Sequence, residues 1–171
     1  AKYAVDNGYS EITLLGQNVN SYDYQNLKFH DLLEEVSKIK KLKRIRYTSP
    51  HPQDITEELL RVMAKHENIC DYIHLPLQAG SNRILKRMNR TYTREHFISL
   101  VKMIREILPK VGISTDIIVG FPGETSKDFE ETISLMHEVK FDSAFNFKYS
   151  SRPGTKASEY SERINDQEKK D

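Results

Sequence analysis

A regular β-α beat constrains this chain more than any other feature of its sequence. Short runs that are apolar throughout, or alternate every second residue, fall at 11–15, 44–48, 71–75, 113–119 and 143–149. Their starts lie 33, 27, 42 and 30 residues apart, which is about the length of one βα unit. The gaps carry helices. Over 30–40, Leu32, Leu33, Val36 and Ile39 form one stripe at helical spacing; Leu59, Leu60 and Met63 do the same over 56–65. Leu100, Val101, Ile104 and Ile107 follow over 97–108, where Pro109 stops the helix. Thr125, with Asp128 three residues on, reads as a capping box opening a helix that carries Phe129, Ile133 and Met136. The longest gap holds a further helical segment over 82–88, and 3–7 reads as the tail of a helix. Such alternation predicts parallel strands with right-handed crossovers, hence an α/β fold, open or barrel-shaped. With 171 residues the chain is short of the roughly 250 of a complete eight-stranded barrel. Its opening helix also has no strand before it. The expectation is a partial barrel over 1–157 that lacks its first strand, then a polar tail over 158–171, read as a frayed edge or as the approach to another domain.

Composition narrows the classes of function. Lys and Arg total 26 against 25 Asp and Glu, so no global basic excess marks a nucleic-acid or membrane partner, and any such partner has to be read locally. No run approaches the ~18 apolar residues of a membrane-spanning helix. The first eight residues lack both an initiator Met and the layout of a signal peptide, so the chain is expected to begin inside a longer protein of the cytoplasm. The one cysteine, Cys70, excludes an internal disulfide and a self-contained Cys-rich metal site; its expected role is a small buried hydrophobe.

Parallel α/β folds gather ligands where strands end and βα loops begin. Here those loops are 16–18, 49–52, 76–81, 120–124 and 150–155, all rich in Gly, Pro and small polar residues, as ordinary turns also are. Gly120 to Glu124 (GFPGE) would let a flat ligand such as a nucleoside approach the backbone, with Glu124 to accept hydrogen bonds. Gly16, Gln17 and Asn18 offer amide groups suited to an ammonium or carboxylate. Of the histidines, His51 and His74 are favoured by position. Two stretches are basic. Lys38, Lys40, Lys41, Lys43, Arg44 and Arg46 read as a solvated helix end, whereas Arg83, Lys86, Arg87, Arg90 and Arg94, in a stretch without an acid from 82 to 94, follow a strand-end loop and could meet phosphate.

Taken as an ordered set, six blocks become specific: 11–22 (EITLLGQNVNSY), 46–52 (RYTSPHP), 74–81 (HLPLQAGS), 88–95 (MNRTYTRE), 115–125 (TDIIVGFPGET) and 149–155 (YSSRPGT). Together they resemble the radical SAM methylthiotransferases, specifically the MiaB type that modifies tRNA. The resemblance implies a partial parallel (βα)6 TIM-barrel-like radical SAM domain, here without its first strand and the Cys-x3-Cys-x2-Cys cluster loop that follows it. It implies S-adenosyl-L-methionine (SAM) and two 4Fe-4S clusters as cofactors of the parent enzyme, whose cysteine ligands this chain lacks. It implies tRNA as the partner, with a reductant protein. The reaction it implies is methylthiolation of C2 of N6-isopentenyladenosine at position 37 of tRNA. That hydrogen sits on an sp2 carbon with no useful acidity, so a positioned His or Glu is no route to it, and a radical is.

By matching position, the resemblance puts Gly16, Gln17 and Asn18 at the SAM amino group, Ser49 and Gln78 at its carboxylate and ribose, and Asp116 with Gly120 and Glu124 at its adenine. Arg90 and Arg152 fall on the substrate side. Competing readings are RimO-type methylthiolation of a ribosomal-protein aspartate, methylthiolation of threonylcarbamoyl-adenosine in tRNA, and a non-catalytic α/β RNA-binding module.

Overall fold

A computed structural model describes the whole chain except Ser49, Asp166, Glu168, Lys170 and Asp171. It divides into two compact units, Ala1–Leu75 with Leu100–Ile113, and Pro76–Ser99 with Ser114–Asp171. No helix among the described residues is long and apolar enough to cross a membrane.

The first unit begins with α1 (Lys2–Asp6) and β1 (Glu11–Leu14). A short hairpin, β2 (Asp23–Tyr24) and β3 (Leu27–Lys28), leads into α2 (Phe29–Ser37), followed by β4 (Arg44–Tyr47), α3 (Glu57–Lys65) and β5 (Tyr72–His74). β1 and β4 pair in parallel, Glu11 opposite Arg44 and Leu14 opposite Tyr47. Alternation of side chains separates two faces. Ile45 and Tyr47 are buried, while Arg44 and Arg46 stay exposed and both bind the Glu11 carboxylate, at 2.5 and 3.0 Å. Those hydrogen bonds hold the Glu11 carboxyl below its ordinary range. A parallel bridge joins Ile45 to Ile69 on the way into β5. Leu33, Ile45, Leu60, Met63, Ile69 and Ile73 form the dry centre of this unit, and Thr56 starts α3 by accepting the Leu59 N–H.

The second unit contains α4 (Asn82–Arg87), the start of α5 (Arg94–Ile107), most of β6 (Gly112–Val119), α6 (Ser126–Val139) and β7 (Ser143–Lys148). β6 and β7 run parallel, with Ser114 opposite Ser143 and Val119 opposite Lys148. Leu77, Ile84, Leu85, Phe97, Ile117 and Leu135 are its core. The Tyr92 hydroxyl donates to the carbonyls of Pro76 and Leu77, both at 3.0 Å, and burial pushes it up to about 12.

Four expectations need correction. The hairpin at 23–28 was not expected; its strands are two residues long, and its turn uses Gln25 and Asn26 at positive φ (50 and 67°). α6 does not bury Phe129 and Ile133, which are exposed, but Asp128, Thr132, Leu135 and Val139. The reason is a close approach at Gly80. A Cβ there would lie 2.5 Å from Thr132 Cα, so only glycine fits at position 80, and the inward-facing Thr132 accepts the Gly80 N–H through Oγ1 at 2.8 Å. Cys70 is half-buried rather than buried. Arg44 and Arg46 belong to a strand, not to a helix end.

Candidate functional site

In the first unit, the loop after β1 exposes Gly16, Gln17 and Asn18. Asn18 takes a left-handed conformation (φ 54°), and its carbonyl accepts the Ser21 N–H at 2.9 Å, opening a single 3-10 turn over Val19–Ser21. That turn buries Asn20, a residue the sequence reading passed over. Its amide grips both backbone polar groups of His51: Oδ1 accepts the His51 N–H at 2.8 Å, and Nδ2 donates to the His51 carbonyl at 3.0 Å. Beside it the Ser21 hydroxyl donates to Asp54 at 2.5 Å. The loop after β1 thus fixes the loop after β4. His51 itself is half-buried, and its Nδ1 accepts the Gln53 N–H at 3.3 Å. Ser49 lies outside the described residues, and His74 is half-buried within β5.

In the second unit, Gln78 and Asp116 meet through the backbone. The Gln78 N–H donates to the Asp116 carbonyl at 2.8 Å, and the Ile118 N–H donates to the Gln78 carbonyl at 2.9 Å. Gln78 is buried, with φ +72°. A buried non-glycine residue held there stores of order 1–3 kcal/mol of backbone strain, which its surroundings must sustain.

The loop 120–124 is built from its own sequence. Gly120 and Gly123 both take positive φ, 71 and 79°. The Gly120 N–H donates to Glu124 Oε2 at 2.5 Å, so the Glu124 carboxylate closes its own loop instead of projecting as an open acceptor. Burial pushes its carboxyl above the ordinary range against the pull of the Gly120 and Phe121 N–H groups. Beside this loop lies a cleft of about 510 Å3 lined by Gly120, Pro122, Tyr149, Ser150, Ser151 and Arg163, among others. The Tyr149 hydroxyl is buried and has no hydrogen-bond partner among the described residues, while its ring meets Phe121 edge-on at 5.1 Å.

Most of the second basic stretch is committed internally. Arg83 binds the buried Asp128 carboxylate through Nε (3.2 Å) and Nη2, and also donates to the Gly123 carbonyl at 2.6 Å. Ser81 Oγ (2.6 Å), Thr125 N–H (2.9 Å) and Thr125 Oγ1 (2.5 Å) donate to the same carboxylate. Burial alone would raise the Asp128 carboxyl; these donors outweigh it and hold it far below the usual carboxylate range. Arg87 pairs with Glu162 at 2.5 Å and lies 4.5 Å from the centre of the Tyr160 ring. Arg94 donates to the Glu131 carbonyl at 2.5 Å and reaches Glu138 at 3.5 Å. Phosphate contact by the whole stretch is therefore corrected to its remainder. Lys86 is exposed; Arg90 is half-buried, with a buried Nε that has no partner among the described residues. Arg152 is exposed, and its carbonyl accepts from Thr155 at 2.8 Å. The start of the polar tail is not frayed: the Gly123 N–H donates to the Glu162 carbonyl at 2.8 Å, and Tyr160 packs on Phe121.

Residues 1–136 match the model of the radical SAM superfamily. Curated relatives are the tRNA-2-methylthio-N(6)-dimethylallyladenosine synthases of Natranaerobius thermophilus, 53% identical over 99% of this chain and 39% of its own length, and of Syntrophomonas wolfei, 52% identical over 95% and 37%. The chain thus spans less than two-fifths of the relatives it matches. Among solved structures, it resembles coproporphyrinogen III oxidase of Escherichia coli, a radical SAM enzyme, with a TM-score of 0.69 at 18% identity, covering 94% of this chain and 37% of that one. It also resembles the radical S-adenosylmethionine methyltransferase TsrM of Kitasatospora setae, with a TM-score of 0.67 at 16% identity, covering 86% and 29%. These two likenesses bear on the fold and bear out the expected partial TIM-barrel-like α/β architecture.

Proposed function

This chain belongs to the radical SAM superfamily, within the family of tRNA methylthiotransferases, and we propose that it is the SAM- and substrate-facing part of an enzyme that methylthiolates C2 of N6-dimethylallyladenosine in tRNA. The observation that carries the reading is identity above half over nearly the whole chain to synthases of that name. A cytoplasmic setting and a reductant protein go with it.

The residues present fit SAM and not a cluster. One cysteine cannot supply the three thiolates that leave a cluster iron open, so no step is assigned to a cluster here. For SAM, the informative feature is the cleft lined by Tyr149, Ser150 and Ser151 beside Gly120, next to a buried Tyr149 hydroxyl that has no hydrogen-bond partner among the described residues. Ser150 and Ser151 line the cleft with hydroxyls, while the Lys169 side chain stands over Gly120 and the Arg87 guanidinium over Gly123. When bound, SAM supplies the radical chemistry that an unactivated C–H bond demands. The protein's part is orientation and exclusion of water. Glu124 holds the loop against Gly120, the Arg83–Asp128 pair ties Gly123 to α6, and Asn20 fixes the His51 backbone. Arg152, Arg90 and Lys86 are cations of the second unit with capacity left for RNA.

The test is the full-length parent enzyme, reconstituted anaerobically with iron and sulfide, then given SAM and tRNA bearing dimethylallyladenosine. Nucleoside mass spectrometry should show the 2-methylthio product. SAM cleavage without that product would refute the reading.

A further inference from the structure

The turn between α2 and β4 carries Lys38, Lys40, Lys41 and Lys43, all exposed. It is held at both ends. Val36 and Leu42 are buried, and the Asn68 side-chain amide donates to the carbonyls of Ser37 at 2.9 Å and Leu42 at 3.1 Å, clasping the turn at its start and its finish. Between those points Lys41 has φ 71°, the left-handed region where glycine is free and a lysine carries strain. Lys2, Lys38, Lys40 and Lys41 line an open groove of about 590 Å3 between α1 and the end of α2. Its acids are Asp6 and Glu35, and Glu35 is already paired with Lys38 at 2.7 Å. Among the described residues Lys2, Lys40, Lys41 and Lys43 make no ion pair. The α2 dipole does not account for them, since it acts within the last turn and Lys38, the cap residue, already stands there. Lys40, Lys41 and Lys43 lie beyond its reach and repel one another. The Lys43 and Arg44 N–H groups both donate to the Ser10 carbonyl, at 2.8 and 3.1 Å, just ahead of β4 and β1. The lysines thus stand at the N-terminal ends of these strands, opposite the ends that lead to Asn20 and His51.

We propose that this lysine turn, with Lys2, is a contact surface for the phosphate backbone of RNA, and that it takes a part of the tRNA remote from the reactive nucleoside. The proposal rests on the tRNA-methylthiotransferase reading above. A protein partner fits the surface poorly. Lysine is depleted in protein–protein interfaces, which are anchored by buried apolar and aromatic side chains, and the groove offers only Val5 and Ile39, both half-buried. Phosphate needs only cations in a fixed array. The Asn68 clasp supplies the fixity: Lys40 and Lys41 leave a backbone that is already ordered, so less freedom is lost on binding. β1 and β4 are four residues long, about 13 Å, so one RNA is large enough to touch both ends of this unit.

The experiment measures equilibrium binding of the full-length parent enzyme to dimethylallylated tRNA, and to its isolated anticodon stem-loop, over a range of salt concentrations. The proteins compared are wild type, a triple variant (Lys40→Gln, Lys41→Gln, Lys43→Gln), the same three lysines changed to Arg, and Lys41→Gly. The triple Gln variant should bind whole tRNA about tenfold more weakly, and its slope of log affinity against log salt should become shallower by about 2, because each phosphate contact contributes a little under one. Stem-loop binding should not change, and the Arg variant should keep the wild-type slope. Lys41→Gly separates charge from fold: glycine relieves the strained φ, so the melting temperature should hold or rise while the slope becomes shallower by about 1. A triple Gln variant with wild-type affinity and slope overturns the proposal, whether the lysines then face solvent or an acidic protein. So does an equal loss on tRNA and stem-loop, which would bring the surface to the anticodon arm. A wild type that forms the methylthio product while the triple Gln variant binds tRNA as wild type does defeats this inference alone. A wild type with no affinity for tRNA defeats the reading on which it rests as well.

Discussion

Replacing Asp128 by Ala should cost this chain about 2–4 kcal/mol, a large loss for one side chain, because its carboxylate is buried at the start of a helix. The carboxylate is the third residue of α6, and it caps the helix by accepting the Thr125 N–H while Thr125 Oγ1 accepts the Asp128 N–H at 3.3 Å. Losing a cap of this kind costs about 1 kcal/mol. Ser81 is 2% exposed, and its hydroxyl, left without its acceptor in the dry interior, adds about 1–3 kcal/mol. Arg83 adds less than about 1 kcal/mol, because its side chain is 49% exposed and returns to water. For a chain of this size, 1 kcal/mol moves Tm by about 2–4 °C, so Tm should fall by about 5–15 °C. The effect has a pH signature. In the folded chain Asp128 ionises well below the ~3.9 of an unfolded aspartate, so its contribution is complete above about pH 5 and is lost as pH falls through 4 towards the folded value. Urea unfolding followed by far-UV circular dichroism, at pH 7 and again at pH 2.5, measures both. An Asp128→Ala protein within about 0.5 kcal/mol of wild type at pH 7, or a gap that does not shrink in acid, would refute the reasoning.

Three further outcomes are expected. Gly80→Ala should destabilise by about 1–3 kcal/mol, because its Cβ meets backbone of α6 at 2.5–2.9 Å and the helix must move; a chemical-denaturation midpoint equal to wild type would count against that contact. Arg87→Ala should change global stability by less than about 1.5 kcal/mol, since a screened ion pair and one cation–π contact are all it removes, yet trypsin should cut at Arg163 several times faster once Glu162 and Tyr160 are released. An unchanged cleavage rate would show that the tail does not depend on Arg87. Asn20→Ala takes the amide away from the His51 N–H and leaves the His51 carbonyl to the Asp54 N–H at 3.0 Å, and should cost about 1–3 kcal/mol, read by the same urea titration; a loss below about 0.5 kcal/mol would show that water replaces the amide.

The parts of the fold that local pattern decides were readable. Ile45 sits in a strand because buried residues alternate there with Arg44 and Arg46, Ile73, Ile113 and Ile117 because they fall in short apolar-rich runs, and Thr125 and Asp128 announced α6 because a capping box is closed within four residues. The hairpin at 23–28 left no such trace. Two-residue strands are too short for alternation to register, and its turn puts Gln25, a residue with no special liking for positive φ, where Asn or Gly is the usual signal. The buried stripe of α6 was misassigned for a different reason: hydrophobicity alone cannot place a face whose buried members include an aspartate and a threonine.

At the candidate site the same division holds, and it explains why the loops were found while the charges were misjudged. Gly120, Gly123 and Glu124 make their structure among themselves, the Gly120–Glu124 bond spanning four residues, so composition pointed to the loop. The basic stretch looked open because no acid stands between 82 and 94. Its acids arrive from far along the chain: Asp128 lies 45 residues from Arg83, Glu138 lies 44 from Arg94, and Glu162 lies 75 from Arg87. A run of like charge in sequence therefore says little about the field it creates until the fold has supplied its partners. Asn20 makes the complementary point. An asparagine in a polar loop carries no mark of burial, and only when the chain brings His51 against it does its amide become the one side chain positioned to satisfy both backbone groups at once.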